Sequence, residues 1–374
     1  MTNIQSRWTW TRIRVSAVQL LARGFLALSL ICISAIQAPA QEQDGSEEEG
    51  AAGKQRLDSA NGALNQSVDI EVPPFRGLEP NISLSYDSGR DNGFVGVGWR
   101  LGGLSVIERS SPRFGTPRYD ATDIFYLDGD ELKACVAGMT SPSCTTGGTH
   151  TTRIESFLKI RRDTAANTWE VWNRDGTKLT YQRVGIWGTY SPTDPDAVKR
   201  ATAHRWLLQT VTDTHGQTVT YGYWCDGVPD CYVDTITYNG NTVRFYRESR
   251  TDPISYATGA GLAAINYRLK SVDVLVGGQR ARAFALTYGT GSNAARSRLA
   301  SVQQFGRDAS VNATTGAVTG NTSLPPTSFT YQDGTGSFQG SSWVASTVLF
   351  TRGDFNGDGR MDYVRRYPTR ASAG

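Results

Sequence analysis

From Ile70 onward the chain is a succession of short segments in which apolar and polar side chains alternate with period two, each closed by a turn dipeptide. Ile82, Leu84 and Tyr86 alternate with Ser83 and Ser85; Val219, Tyr221 and Tyr223 alternate with Thr220 and Gly222; Phe284, Leu286 and Tyr288 alternate with Ala285 and Thr287. A strand exposes successive side chains on opposite faces, so this pattern dictates strands with one face on a core. Asp175-Gly176, His215-Gly216 and Asn239-Gly240 supply the positive φ that tight hairpins require. No long segment of period 3.6 competes, and Gly259 to Asn266 is the one stretch that reads as a helical turn. The chain is therefore expected to be all-β, an antiparallel β-sheet or sandwich of repeated hairpins.

The hairpins carry an echo. Leu208-x-Thr210-Val211, Val233-x-Thr235-Ile236, Leu269-x-Ser271-Val272 and Leu299-x-Ser301-Val302 share an apolar-x-Ser/Thr-apolar signature, with starts 25, 36 and 30 residues apart. Each precedes a strand ending in an aromatic pair position: Thr220-Tyr221, Phe245-Tyr246, Thr287-Tyr288 and Thr330-Tyr331. The spacing is too irregular for a solenoid and suits hairpins of one sheet with variable loops.

The first 40 residues differ. Arg7, Arg12, Arg14 and Arg23 precede an apolar run from Gly24 to Ile36 and the exit Ala38-Pro39-Ala40, the order of a secretory signal peptide cut after Ala40. The run is too short for a helix across a hydrocarbon core of about 30 Å, so the mature chain is expected to have no membrane span. Four of the 38 Lys and Arg lie in this segment with no acid, leaving 34 bases against 35 acids beyond it. With no basic block interleaved with aromatics, nucleic acid is not an expected partner. Residues 41–60 begin QEQDGSEEEGAAG and read as an acidic flexible linker.

An exported chain meets an oxidising compartment. Cys135, Cys144, Cys225 and Cys231 allow three connectivities, of which the spacing favours two local staples, Cys135 to Cys144 and Cys225 to Cys231. Neither pair has the short spacing of a zinc knuckle, and His150, His204 and His215 do not complete one.

Gly93-x-x-Gly96-x-Gly98 inverts the order of a dinucleotide loop and runs directly into Trp99, so it reads as a glycine-kinked strand whose backbone packs closely. Around it lies the run Val72-Pro73-Pro74-Phe75-Arg76-Gly77-Leu78-Glu79-Pro80-Asn81-Ile82-Ser83-Leu84-Ser85-Tyr86-Asp87-Ser88, then Gly93-Phe94-Val95-Gly96-Val97-Gly98-Trp99 and Leu104-Ser105-Val106-Ile107-Glu108-Arg109. This resembles the amino-terminal domain of the SpvB family, which includes the B components of insecticidal toxin complexes and many RHS-repeat proteins. Ile124-Phe125-Tyr126-Leu127-Asp128-Gly129-Asp130-Glu131-Leu132 continues the resemblance, which covers about the first third of the mature chain, within an SpvB-like β domain over 61–335. It implies a non-enzymatic structural module of a secreted bacterial toxin or RHS-type virulence protein. Its partners would be a downstream RHS-type shell or other toxin-complex subunits. Members of the family can carry an ADP-ribosyltransferase at the far end; Glu47 and Glu49 form an E-x-E only within the acidic linker.

The strongest chemical motif is Asp354-Phe355-Asn356-Gly357-Asp358-Gly359-Arg360-Met361-Asp362. Asp354, Asn356, Asp358 and Asp362, with the Arg360 carbonyl, can wrap a hard cation that takes six to eight oxygens, and Gly359 allows the sharp turn. The loop resembles an FG-GAP or VCBS repeat, implying bound calcium and the first strands of a β-propeller over 345–374. Because one such unit cannot bury its own faces, further repeats are expected beyond Gly374.

Catalytic arrangements are hard to assemble: G-x-S-x-G and H-E-x-x-H are missing, and Asp128 and Asp130 sit in a turn, where carboxylates are ordinarily solvated. A competing class is a secreted calcium-dependent adhesin or carbohydrate binder using Trp169, Trp172, Trp187 and Trp206. That class needs those rings exposed, whereas a scaffold needs them beneath strands.

Overall fold

The computed structural model describes residues 48–50, 53–57, 63–291, 295–332, 349–353 and 362–366. Its strands begin with a small antiparallel sheet: β1 (Glu48–Gly50), β2 (Gly53–Leu57), β3 (Leu64–Asp69), β4 (Ser83–Asp87) and, beyond the short pair β5 (Asn92–Gly93) and β6 (Gly96–Val97), β7 (Trp99–Leu101). The acidic segment thus departs from the linker expectation, since β1 pairs with β2 and β2 with the open edge of β3. An unpaired edge recruits neighbouring chain through its backbone groups whatever the side-chain charge.

Eight strands then close on themselves: β8 (Val106–Ser110), β9 (Ile124–Leu127), β10 (Asp130–Ala134), β11 (His150–Thr152), β12 (Lys159–Asp163), β13 (Thr168–Trp172), β14 (Lys178–Arg183) and β15 (Arg205–Thr212). Closure falls to β15. One edge pairs with β14 along most of its length, while on the other Arg205–Leu207 pair with β8 and Thr210–Thr212 pair with β16 (Thr218–Gly227). The sheet runs on from β16 as a meander through β17 (Asp230–Tyr238), β18 (Asn241–Ala257), β19 (Leu262–Val276), β20 (Gln279–Thr290) and β21 (Ser297–Phe305). After the small pair β22 (Ser310–Val311) and β23 (Val318–Thr319), β24 (Thr327–Ser328) returns to β21.

The all-β antiparallel expectation is met, with one refinement: half of the large sheet is a closed barrel, and the small sheet lies against the other half. One continuous core contains Leu84, Trp99 and Leu101 of the small sheet, Ile107, Trp169 and Trp206 of the barrel, and Val272, Phe284 and Leu299 of the meander. Period two fixes which face is buried but not whether a sheet closes. The hairpin turns are as read: Asn239 and Gly240 both have positive φ, 45° and 73°, linking Tyr238 directly to Asn241 in the ladder.

The repeated signature has a structural meaning that its sequence did not disclose. Each copy is a β-bulge. Gln209, Asp234, Lys270 and Ala300, the x residues, are the ones skipped where Tyr181 pairs with Leu208, Tyr223 with Val233, Arg247 with Leu269 and Tyr288 with Leu299. A bulge disrupts the ladder locally and sharpens twist, and in three copies a tyrosine hydroxyl supplies a donor there. Tyr223 donates to the Leu208 carbonyl (2.9 Å), Tyr288 to Leu269 (2.6 Å) and Tyr331 to Leu299 (2.8 Å). In the first copy the working aromatic is Tyr223, two residues beyond the Tyr221 of the pattern.

Gly259 to Asn266 is not helical: Gly259 and Gly261 form the turn and β19 begins at Leu262, pairing back onto β18. The eight-residue helix in the structure is α2 (Pro195–Thr202), following the four-residue α1 (Pro142–Thr145). Its signals were present: Asp194 accepts from the Asp196 amide and Pro195 occupies the first turn. Two helical turns are too short for periodicity to stand out.

Gly96 and Gly98 serve close approach. A Cβ on Gly96 would lie 2.7 Å from the Ser297 carbonyl oxygen, and one on Gly98 would overlap the Tyr86 ring.

Candidate functional site

The ionisable groups concentrate where the barrel meets the meander. Register places Arg109 opposite Phe125, Ile107 opposite Trp206, and Arg162 opposite Trp169. These alternate with the outward Glu108, Glu170 and Arg161, so Arg109 and Arg162 face the lumen at one end of the barrel.

On the outer side of the same strands lies a cleft of about 270 Å³ lined by Glu108, Phe114, Tyr126, His204, Arg205 and Tyr256 among others. Glu108 accepts from Arg205 Nε at 2.6 Å. The Arg205 charge holds the Glu108 carboxyl below its usual range against the cost of burial. Burial opposes the charge on Arg205, yet Glu108 outweighs it and drives its value upward. Tyr256 donates to Asp230 Oδ1 (2.6 Å) and the Ala264 amide to Asp230 Oδ2 (3.0 Å), extending the polar network from β17 to β19.

His204 is 5% exposed, and its Nδ1 lies 3.5 Å from the Tyr119 hydroxyl, which donates to the Thr258 carbonyl at 2.6 Å. Burial, with Arg205 nearby, lowers His204 to about 4, so it is neutral at pH 7. A base works best with a pKa near the operating pH. Here the carboxylate is pinned to an arginine and the imidazole is a weak base, which suits a fixed polar seam better than proton transfer. Phe114 is 68% exposed, stacked on Tyr126 at 4.1 Å, on a turn where Arg113 and Phe114 both hold positive φ (65° and 60°).

Of the residues singled out by sequence, both cysteine pairs are joined: Cys135–Cys144 with Cα atoms 5.6 Å apart and Cys225–Cys231 with 3.9 Å. The second closes a hairpin end where the two cysteines oppose each other in register. Beside the first, Glu155 accepts from Ser141, from Ser143 (2.5 Å) and from the Phe157 amide (2.6 Å), which lowers its carboxyl to about 2. Trp169 and Trp206 are fully buried in the lumen with Phe125, and Trp172 and Trp187 are half-buried. Asp128 turns between β9 and β10, accepting from the Val106 amide (2.8 Å) and Ser105 (2.6 Å), a structural use of that carboxylate.

Of the expected calcium loop, residues 354–361 lie outside the described residues, with Asp354, Asn356, Asp358 and Arg360 among them; so does the expected signal segment. The flanking strands β25 (Leu349–Gly353) and β26 (Asp362–Arg366) pair as an antiparallel hairpin, Gly353 opposite Asp362. Among the described residues no three His, Cys, Asp or Glu gather as a metal centre, and no helix is long and apolar enough to cross a membrane.

Sequence reasoning missed the lumen arginines and the His204 seam. Arg109 was visible as a charge on an inward-parity position, the one signal available.

A family model described as Salmonella virulence plasmid 65kDa B protein (SpvB) matches residues 58–260, extending past the first third expected and through the whole of β18. The mono(ADP-ribosyl)transferase SpvB of Salmonella typhimurium (strain 14028s) is 25% identical over 198 residues, 48% of this chain and 32% of that protein. The chain therefore spans about a third of the length of that relative. The fold is shared with the N-terminal domain of effector protein SpvB from Salmonella typhimurium strain LT2 (TM-score 0.51, 16% identity, 64% of this chain and 98% of that one). It is shared too with a Photorhabdus luminescens Tc holotoxin pore structure (TM-score 0.55, 18% identity, 75% of this chain and 16% of that one).

Proposed function

Because this chain belongs to the SpvB family, we propose that it is a non-enzymatic amino-terminal structural module of a secreted bacterial toxin or RHS-type virulence protein, presenting or encasing a distal effector. The observation that carries this reading is the commitment of its chemistry to architecture. The two tryptophans at the heart of the barrel are 0% exposed, Glu108 accepts from Arg205 within the barrel, Tyr256 donates to Asp230 within the meander, and the Arg205 guanidinium lies 5.9 Å from the Tyr256 ring between them. Of the four rings the adhesin alternative would use, Trp169 and Trp206 lie beneath strands and Trp172 and Trp187 are half-buried, which supports a scaffold over a binder that needs its aromatic faces open to a ligand.

In this proposal the chain leaves the cell through the 1–40 segment, partners an RHS-type shell or toxin-complex subunits, and binds calcium at Asp354, Asn356, Asp358, the Arg360 carbonyl and Asp362. Two experiments test it. The full chain, incubated with labelled NAD and a host cell lysate, should label no protein; transfer of label would overturn the non-enzymatic reading. Mixed with RHS-type or toxin-complex subunits encoded in the same genome, it should co-elute with at least one in size-exclusion chromatography. Separate elution from every one of them would overturn the partner assignment.

A further inference from the structure

The outer face of the barrel carries one row of side chains that follows directly from the register: Arg205 of β15 opposite Glu108 of β8, and Glu108 opposite Tyr126 of β9. Each end of that row supports an aromatic ring from outside the three strands. Phe114 stacks on Tyr126 at 4.1 Å and stays 68% exposed, and the ring centroid of Tyr256, on β18, lies 5.9 Å from the Arg205 guanidinium carbon. Two strand spacings, roughly 10 Å, separate the ends of the row. Between them opens the cleft of about 270 Å³ that Phe114, Glu108 and Tyr256 line together. Glu108 thus stands on the floor between two aromatic walls, with 41% of its side chain open to solvent. Both of its contacts with Arg205, from Nε and Nη2, fall on Oε1 at 2.6 Å, and Oε2 accepts no hydrogen bond among the described residues. The Phe114 wall is held by strained backbone: Arg113 and Phe114 in succession adopt positive φ, 65° and 60°, which side chains of this bulk avoid unless their surroundings impose it.

We propose that this cleft binds an organic cation of the ammonium or guanidinium type, such as ends a lysine or arginine side chain, with Glu108 Oε2 as its counter-ion and the Phe114 and Tyr256 rings as its walls. The open carboxylate oxygen alone would carry nothing, since water solvates it. The rings decide the ligand, because the negative face of an aromatic attracts a cation and offers nothing to an anion. The charge balance agrees. Arg109, which also lines the cleft, is committed to Asp123 at 3.4 Å, His204 is neutral at pH 7, and the one remaining base, Arg205, is answered by two acids, Glu108 and Asp230. A hard metal ion is a poor fit, since it takes six or more oxygens and the floor presents one. Strained backbone that holds an aromatic ring open beside a cleft is the arrangement of a ligand clamp, whereas a ring serving only to pack would be covered.

The test uses the full chain labelled with ¹⁵N-phenylalanine at pH 7 and fixed ionic strength, reading the Phe114 amide resonance assigned by its loss in Phe114→Leu. Titration with n-butylammonium or n-butylguanidinium should shift that resonance saturably. Sodium, and 1-butanol, which has the alkyl chain without the charge, should not. Affinities of the variants are read from the ligand's own resonances. Glu108→Gln should weaken binding about tenfold or more. Phe114→Leu, which keeps an apolar side chain at an exposed position and removes the ring, should weaken it roughly threefold, and this second variant carries the test should Glu108→Gln not fold. Saturation by one cation alone identifies the head group. A Phe114 amide that neither cation moves beyond sodium, a shift that butanol reproduces, or an affinity unchanged in either variant that folds would overturn the site.

Discussion

Removal of Asp252 should unseat the clamp that joins the small sheet to the meander. The Arg250 side chain is 0% exposed and meets Asp252 in a two-pronged pair, Nε to Oδ1 at 3.0 Å and Nη2 to Oδ2 at 3.1 Å. Its other bonds run to the Gly93 carbonyl (2.9 Å) and Asn92 Oδ1 (2.8 Å). Asp252 accepts in addition from Asn92 Nδ2 (2.9 Å), the Ser297 amide (2.6 Å) and the Ser297 hydroxyl. Asp252→Ala breaks all of these acceptor bonds and strands a buried guanidinium, a change that costs about 3–5 kcal/mol when one partner of a buried pair is lost. Adding Arg250→Met removes the stranded charge, so the double variant should recover about 2 kcal/mol of that loss. Urea unfolding at pH 7, read by tryptophan emission, measures both. Burial alone would raise Asp252, but the bonds from Arg250, Ser297 and Asn92 outweigh it and hold it well below the usual range. A depressed folded value means that the contribution is complete above the unfolded value of about 3.9 and is lost as pH falls below it. The deficit of Asp252→Ala should therefore shrink toward pH 2. A loss under about 1 kcal/mol, or one additive with Arg250→Met, would refute the argument, since coupled partners cannot be additive.

Gly259, at φ 73°, has no room for a Cβ against the Pro117 carbonyl; Gly259→Ala should cost about 1–3 kcal/mol and speed amide exchange in the turn carrying Phe114. Reduction of either disulfide should lower stability by about 2–3 kcal/mol in the chain-entropy model, and nonreducing peptide maps should show Cys135 with Cys144 and Cys225 with Cys231. His150 and His204 are both lowered to about 4, chiefly by burial. Between about pH 6.5 and 4 the unfolded chain takes up protons that the folded chain refuses, so stability should fall across that window; His204→Asn should flatten the slope, and an unchanged slope would exclude His204 as its source. If the proposed calcium site is the Asp-rich loop, calorimetry on the full chain should show calcium binding that Asp358→Ala weakens, and no heat, or heat unchanged by the substitution, would reduce the loop to a turn.

What the sequence determined by itself was set over a few residues. Alternation named the buried face of each strand, Asn239-Gly240 placed its hairpin within the chain, and the cysteine spacing matched pairs that lie close in the fold. The glycine-rich run before Trp99 was legible for the same reason, because a missing Cβ is a local fact with a local steric meaning. The recurring apolar-x-Ser/Thr signature was visible, but its meaning was not: a bulge exists only against a partner strand, and the tyrosine that closes it lies 15 to 32 residues away. Tertiary structure alone decided that β15 divides its edge between β8 and β16 and so closes a barrel, that Arg162 rests on three rings from three different strands, and that Arg250 reaches Asn92 across 158 residues. Period two specifies the face a side chain occupies and leaves its neighbours open, because strand pairing is made by backbone groups that every residue shares.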